Sequence, residues 1–296
     1  MKKLLLFISI IIAVASCSNS GNKAGNSHQG IQIPEADKKA HLMNMANGFW
    51  YGIDFSDSTL FEQEQQFMPA FAQWADMALA LYYEYGEIVS KTPVELTMNN
   101  SKALVWLMNI ADECFRNPNS PFRCEELYIP MLEAAINSNA DELYKEVYQE
   151  RLAKALKNRK GTAAADFSYI TENGETGTLH GIHAKHTILY FFNPDCHDCA
   201  RVSEIIGNDS TIREMAGSKQ LSVLALYPDK DMTAWNKHFG KWPKEWITAR
   251  YADLAEKEKY DLPAIPNIYL LDENKTVVLK DAAIEEIIDH LNSRTK

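Results

Sequence analysis

Beyond residue 15 the chain has no long apolar run. That absence argues against a transmembrane helix, which takes about 20 consecutive apolar residues. Positive charge is also in deficit: 30 Lys and Arg stand against 40 Asp and Glu, a formal net charge of −10. No basic cluster interrupts this acidity, so nucleic acid is not an expected partner, and neither is a polybasic hold on anionic lipid. No segment repeats with a clear period. Cysteine is sparse, five in 296 residues, and the five divide as one, two and two. What is there is a chain long enough for two domains of ordinary size, each able to bury a core.

The first residues read as a processing signal, 1–16. Lys2 and Lys3 precede the apolar "LLLFISIIIAVA" (4–15), too short to span a bilayer. The small residues of "VASC" resemble the end of a bacterial lipoprotein signal. The resemblance implies that Cys17 is the lipidated first mature residue and that acyl chains tether the protein. A plain secretory signal cut nearby is the other reading. Removing 1–16 takes away Lys2 and Lys3, so the charge moves from −10 to −12. Residues 17–34, with "SNSGNKAGNSHQG", read as a flexible linker. The expected location is the periplasm, as a membrane-anchored lipoprotein of Gram-negative type, where disulfides can persist.

Residues 35–158 read as an all-α domain. Phe67, Phe71, Trp74, Ala78, Leu81, Tyr82 and Tyr85 recur at spacings of three and four, giving one long amphipathic helix. A second helix starts after Asn99 or Asn100 and carries Leu104, Leu107, Met108, Ala111 and Phe115 on one face. A third follows the "NPNSP" turn, with Pro130 expected to bend it, and a fourth runs from about Asp141 to Lys157. Aromatics at helical spacing belong to a core; a ligand pocket is the rival reading. Cys114 and Cys124 flank the turn. They form either a structural disulfide, worth about 3 kcal/mol on the chain-entropy estimate, or two free buried thiols.

Residues 159–296 change pattern. "DFSYIT", an "ENGE" turn and "TGTL" predict a hairpin. "TILYFF" and "LSVLALYP" are continuous apolar runs, as strands covered on both faces show. "MTAWNKHF" predicts a helix, "NIYLLDENKTVVLKD" two strands about a turn, and "AAIEEIIDHL" a closing helix. The fold class is therefore α/β with a mixed sheet flanked by helices, preceded by the helical domain.

Chemistry concentrates at "NPDCHDCARV" (193–202). A helix N-terminus offers unpaired N–H groups and a positive dipole end, which favour a thiolate. Cys196 would be the exposed, attacking thiol, and Cys199, one turn on, would resolve the mixed disulfide. The neighbouring charges conflict: a protonated His197 favours the thiolate, whereas Asp195 and Asp198 oppose it. Far along the chain, Ile265-Pro266 stands directly before an apolar strand. A cis bond there would turn the backbone towards the dithiol and leave the Ile265 N–H and C=O free for a bound strand.

Together "ADF…NGE…TL", "ILYFFNPDCHDC", "LALYPD" and "AIPNIYLLD" make residues 160–296 resemble the thioredoxin-fold oxidoreductases of the TlpA/ResA type. Residues 35–158 resemble a helical domain of unknown function that precedes such modules in exported lipoproteins. The resemblance implies Cys196 as nucleophile, Cys199 as resolving thiol and Pro266 as cis-proline, with His197, Asp198 and Ile265 in support and no cofactor. Its implied partners are client proteins with disulfides or thiols and a membrane electron donor. The chain departs from the pattern at Asp195, where an aromatic is common, and at Tyr190, where thioredoxin has a buried acid. The proton acceptor for Cys199 then falls to water or Glu204. The stretch from Asp229 to Leu262 is long for a minimal thioredoxin and reads as an insertion shaping the rim. Two rivals remain: a Cys2His2 zinc site of His180, His183, Cys196 and Cys199, and a partner-binding lipoprotein whose thioredoxin-like module is not catalytic.

Overall fold

The computed structural model describes residues 34–57, 59–62 and 64–294. The expected signal peptide, Cys17 and all of the linker except Pro34 lie outside the described residues.

The N-terminal part is helical: α1 (Glu35–Tyr51), α2 (Thr59–Glu62), α3 (Glu64–Tyr85), α4 (Lys91–Thr97), α5 (Ser101–Ala111), α6 (Glu125–Ile136) and α7 (Glu142–Ala155). Asn100 starts α5 because its Oδ1 accepts the Ala103 N–H at 3.2 Å, satisfying a donor that the first turn leaves open. α6 continues through Pro130 as a single helix. The aromatic stripe of α3 packs inward. Trp50, Phe71, Trp74 and Phe115 are fully buried, with the Trp50 and Trp74 rings 5.0 Å apart and Trp74 and Phe115 6.0 Å apart. Trp74 Nε1 donates to the Ala46 carbonyl at 3.1 Å, so its one polar atom is satisfied inside the core. These rings are core, and burying a Phe-sized side chain stabilises by about 1.5–3 kcal/mol.

The C-terminal part is built on a seven-stranded sheet in the order β2-β1-β5-β4-β3-β6-β7. The strands are β1 (Ser168–Thr171), β2 (Thr176–Thr178), β3 (His186–Phe191), β4 (Leu221–Tyr227), β5 (Ile247–Tyr251), β6 (Asn267–Asp272) and β7 (Val277–Leu279). β3, β4 and β5 are parallel, while β6, β7, β1 and β2 run antiparallel to their neighbours. β3 shows why a continuous apolar run suits this place. Ile188, Tyr190 and Phe192 enter one core layer, and Leu189 and Phe191 enter the layer on the opposite face. The first layer is closed by α8 (His197–Asn208), α9 (Ser210–Gly217), α10 (Met232–Lys237) and α11 (Ile284–Arg294) through Val202, Ile212, Trp235 and Ile287.

The Asp229–Leu262 stretch does more than shape a rim. It carries α10 and then β5, a strand hydrogen-bonded to β4 on one side and β1 on the other. "ITARY" lacks the unbroken apolar run of β3 and β4, which is why periodicity passes over it.

Half-buried charges join the two parts. Lys280 Nζ, on the turn after β7, meets Glu125 Oε2 at 2.8 Å and donates to the Ala155 and Lys157 carbonyls at 3.0 and 2.7 Å. Arg123 pairs with Asp281. Asp281 in turn accepts from Asn267 Nδ2 at 2.6 Å. Burial pushes the Asp281 carboxyl up to about 6, although Arg123 pulls it down.

Candidate functional site

β3 ends at Phe191, and five residues later Cys196 is the N-cap of α8. The intervening turn is set locally, since Asn193 Oδ1 accepts the Asp195 N–H at 2.9 Å. Cys196 has extended backbone (φ −88°, ψ 126°), and its sulfur accepts the Cys199 N–H at 3.4 Å. A sulfur so placed takes an otherwise unpartnered donor of the first helical turn. It is half-buried and open to solvent on one side. Across from it, the Ile265 carbonyl lies 3.9 Å away and accepts from the Cys196 thiol. The Ile265–Pro266 bond is cis.

Cys199 lies one turn deeper and is 1% exposed. The Asn193 N–H donates to its sulfur at 3.5 Å. Burial nevertheless pushes the Cys199 thiol up to about 12, with the Asn193 N–H opposing and Cys196 adding to the rise. One sulfur is therefore accessible and held by a helix donor, whereas the other is enclosed and holds its proton. That asymmetry suits an attacking thiol and a resolving thiol. Beneath them, the Tyr190 hydroxyl donates to the Cys199 carbonyl at 2.7 Å and lies 3.2 Å from Ser203 Oγ. Tyr190 thus clamps the first turn of α8; it is not a carboxylate substitute, and burial raises its own pKa further.

The site gathers Cys196, Cys199, His197, Asp198, Ile265 and Pro266 at one end of the sheet. His197 and Asp198 are exposed, with their charged atoms 3.8 Å apart. Glu204, the suggested proton acceptor, does not reach Cys199. Five residues along α8 is a rotation of roughly 140°, and Glu204 is exposed while Cys199 faces the core. The Cys2His2 set is not assembled either. His180 and His183 precede β3 whereas the cysteines follow it, and a six-residue strand separates the two ends by about 17 Å. His180 Nε2 instead meets the Ala164 carbonyl at 2.8 Å, and among the described residues no group of three or more His, Cys, Asp or Glu could hold a metal ion.

Cys114 and Cys124 are free thiols, both buried in the helical core. The main chain closes their turn, with the Cys124 N–H donating to the Phe115 carbonyl at 3.0 Å, so the bridge is not the element that holds it.

Sequence reading missed Lys237 and His238. Lys237 Nζ and His238 Nε2 contact Asp195 Oδ1 at 2.8 and 2.9 Å, and the Lys237 and His238 bonds hold that carboxyl below the usual carboxylate range. Both lie more than 40 positions from Asp195, and no local signal could have joined them.

Comparison with known proteins places this geometry. A domain of unknown function, DUF5106, matches residues 17–158. The chain is 30% identical to a thioredoxin-like protein from Bacteroides caccae of known crystal structure, covering 93% of this chain and 99% of that one with a TM-score of 0.79. The C-terminal domain of an uncharacterized protein from Bacteroides fragilis is 42% identical over 46% of this chain and 99% of its own length, with a TM-score of 0.44. Nucleoredoxin of Xenopus laevis is 21% identical over 123 residues, 40% of this chain, and the match spans 28% of nucleoredoxin's length.

Proposed function

The chain belongs to the thioredoxin-like family, and from that premise we propose that it exchanges protein thiols and disulfides outside the cytoplasm through Cys196 and Cys199. The observation that carries this reading is the half-exposed Cys196 sulfur at the N-terminus of α8, with the Ile265 carbonyl facing it at 3.9 Å. In the direct sense, the Cys196 thiolate attacks one sulfur of a client disulfide. A mixed disulfide forms, and the client's other sulfur leaves and takes up a proton. Cys199 then loses its proton and attacks Cys196 Sγ, forming the Cys196–Cys199 disulfide and releasing the second client thiol. The client gains two electrons and two protons, so the dithiol must recover two electrons from a donor. The reading favours a reductase, recharged by a membrane electron donor.

The protein-disulfide substrate class also rests on the main-chain groups of Ile265, which an extended client segment can meet edge-on. Domain limits of 35–158 and 159–296 fit the end of the DUF5106 match at residue 158. The sequence around Cys17 supports export and a lipid anchor; among the described residues no helix is long and apolar enough to cross a membrane.

The test is trapping. Cys199→Ser should accumulate covalent client adducts and Cys196→Ser none, and the wild type should reduce insulin. Adducts of equal yield in both variants would overturn the assignment of roles. A wild type that neither reduces insulin nor forms adducts would instead favour a partner-binding module without redox chemistry.

A further inference from the structure

Asp195 poses a physical problem for the site. It directly precedes Cys196, and an unpaired carboxylate there opposes the thiolate that exchange needs. The fold answers with two residues from the far side of the rim. α10 ends at Lys237, His238 is its C-cap, and both reach Asp195 Oδ1. Their approach is built into the packing. Trp235 lies against Tyr227 with rings 5.8 Å apart, and Trp242 lies against Phe192 at 4.8 Å. The His238 ring is 6.1 Å from that of Trp242, and the Gly240 N–H donates to the Glu172 carboxylate at 3.3 Å. Gly240 has φ +72°, a turn conformation that side chains disfavour, which lets the chain double back at this point.

We propose that Lys237 and His238 are positioning residues of the dithiol, which grip the Asp195 carboxylate and offset the negative charge beside Cys196. The inference rests on the thiol-exchange reading above and assigns a role to the α10 segment within it. The other charged groups around Cys196 do not supply this compensation. His197 and Asp198 are exposed and answer each other. Asp229 is held by Lys257 at 3.5 Å and by Asn193 Nδ2 at 3.3 Å. Ile265 offers a carbonyl and Tyr190 a hydroxyl, neither of them a cation, and Cys199 keeps its proton. Lys237 and His238 are the groups that meet Asp195 from outside its own turn.

The experiment is the pH profile of Cys196 alkylation in the full chain. It compares wild type, K237A/H238A, D195N and the triple variant D195N/K237A/H238A. A close neighbouring charge shifts a titrating group by roughly one to three units, and solvent screening at an exposed rim reduces that to a fraction of a unit. K237A/H238A should therefore react about two- to five-fold more slowly at neutral pH and low salt, with its midpoint moved upward. The loss should shrink as ionic strength rises, because the screening length falls from about 10 Å at 0.1 M to about 3 Å at 1 M. D195N should move the midpoint downward, because Lys237 then acts on the thiolate unopposed; the triple variant, which loses the acid and its counter-charge together, should return close to the wild-type profile, and K237R should retain it. A slower K237A/H238A rate with an unmoved midpoint and no salt response, or a D195N midpoint that does not move, would overturn the proposal in favour of packing alone. A wild-type Cys196 no more reactive than free cysteine would instead sink the exchange reading itself, so the two failures are distinct.

Discussion

Cys196 and Cys124 occupy the same kind of position and differ in almost everything that matters. Each is the N-cap of a helix, Cys196 of α8 and Cys124 of α6, and each has extended backbone there. Cys196 opens to solvent, its sulfur takes a helix donor, and Lys237 and His238 tend the acid beside it. Cys124 is 6% exposed. Burial pushes its thiol up to about 11, Glu125 and Glu126 push the same way, and the Glu126 and Leu127 N–H groups pull against them and lose. Cys114, in the π-helical segment Asp112–Arg116 that follows α5, is likewise pushed up to about 11 by burial and by Glu113. A helix mouth alone does not make a reactive sulfur. Access and the balance of neighbouring charge decide, and a buried mouth keeps its thiol protonated.

The widest gap should appear in native-state labelling. Cys196 should alkylate while Cys114 and Cys124 stay protected by on the order of a hundredfold, the factor implied by a local opening that costs about 3 kcal/mol. Peptide mapping before and after denaturation measures it, and equal labelling in the native protein would erase the distinction. Substitution gives the next effect. Cys124→Ala should leave client adducts intact and lower stability by about 1 kcal/mol, roughly the loss of one buried methylene-sized group. Cys196→Ala should abolish adducts and cost about 0.5–1 kcal/mol, because it removes the sulfur that caps the first turn of α8. Denaturant melts and adduct yields on the same samples check both.

The narrowest effect, confined to alkaline pH, is the pH dependence. An unfolded thiol titrates near 9.0, whereas Cys114 and Cys124 titrate near 11 when folded. The folded state holds these protons more tightly, so their stabilising contribution is complete below pH 9 and is lost as pH rises from 9 to 11. Thermal melts across that window should fall more steeply for wild type than for a Cys114→Ala/Cys124→Ala variant. Parallel curves would mean that burial does not govern these sulfurs.

Much of this was legible from sequence because the signals were local. The apolar run of β3 leads through a short turn into the C-x-x-C at the start of α8, and the Asn99–Asn100 pair announced the start of α5 by residue type, with the structure choosing Asn100. The aromatic spacing of α3 marked its buried face. β5 escaped because Thr248 and Arg250 interrupt its apolar residues, and its existence depends on β1 and β4 arriving on either side. The grip on Asp195 escaped for a related reason: it joins positions that only the folded sheet brings together. The departure at Tyr190 was visible, but its consequence needed coordinates, since only they reveal a hydroxyl bound to the Cys199 carbonyl. Residue spacing likewise left Cys114 and Cys124 undecided, and the hydrogen bond from Cys124 to Phe115 explains how their turn closes without a bridge.

Lys280 offers one ammonium to three oxygens of the helical region, while Asp281, its neighbour, ties Arg123 to Asn267. Asn267 is two positions past Ile265, the residue whose carbonyl meets the nucleophile. The helical region is thus bolted close to the working end of the molecule, more handle than leash.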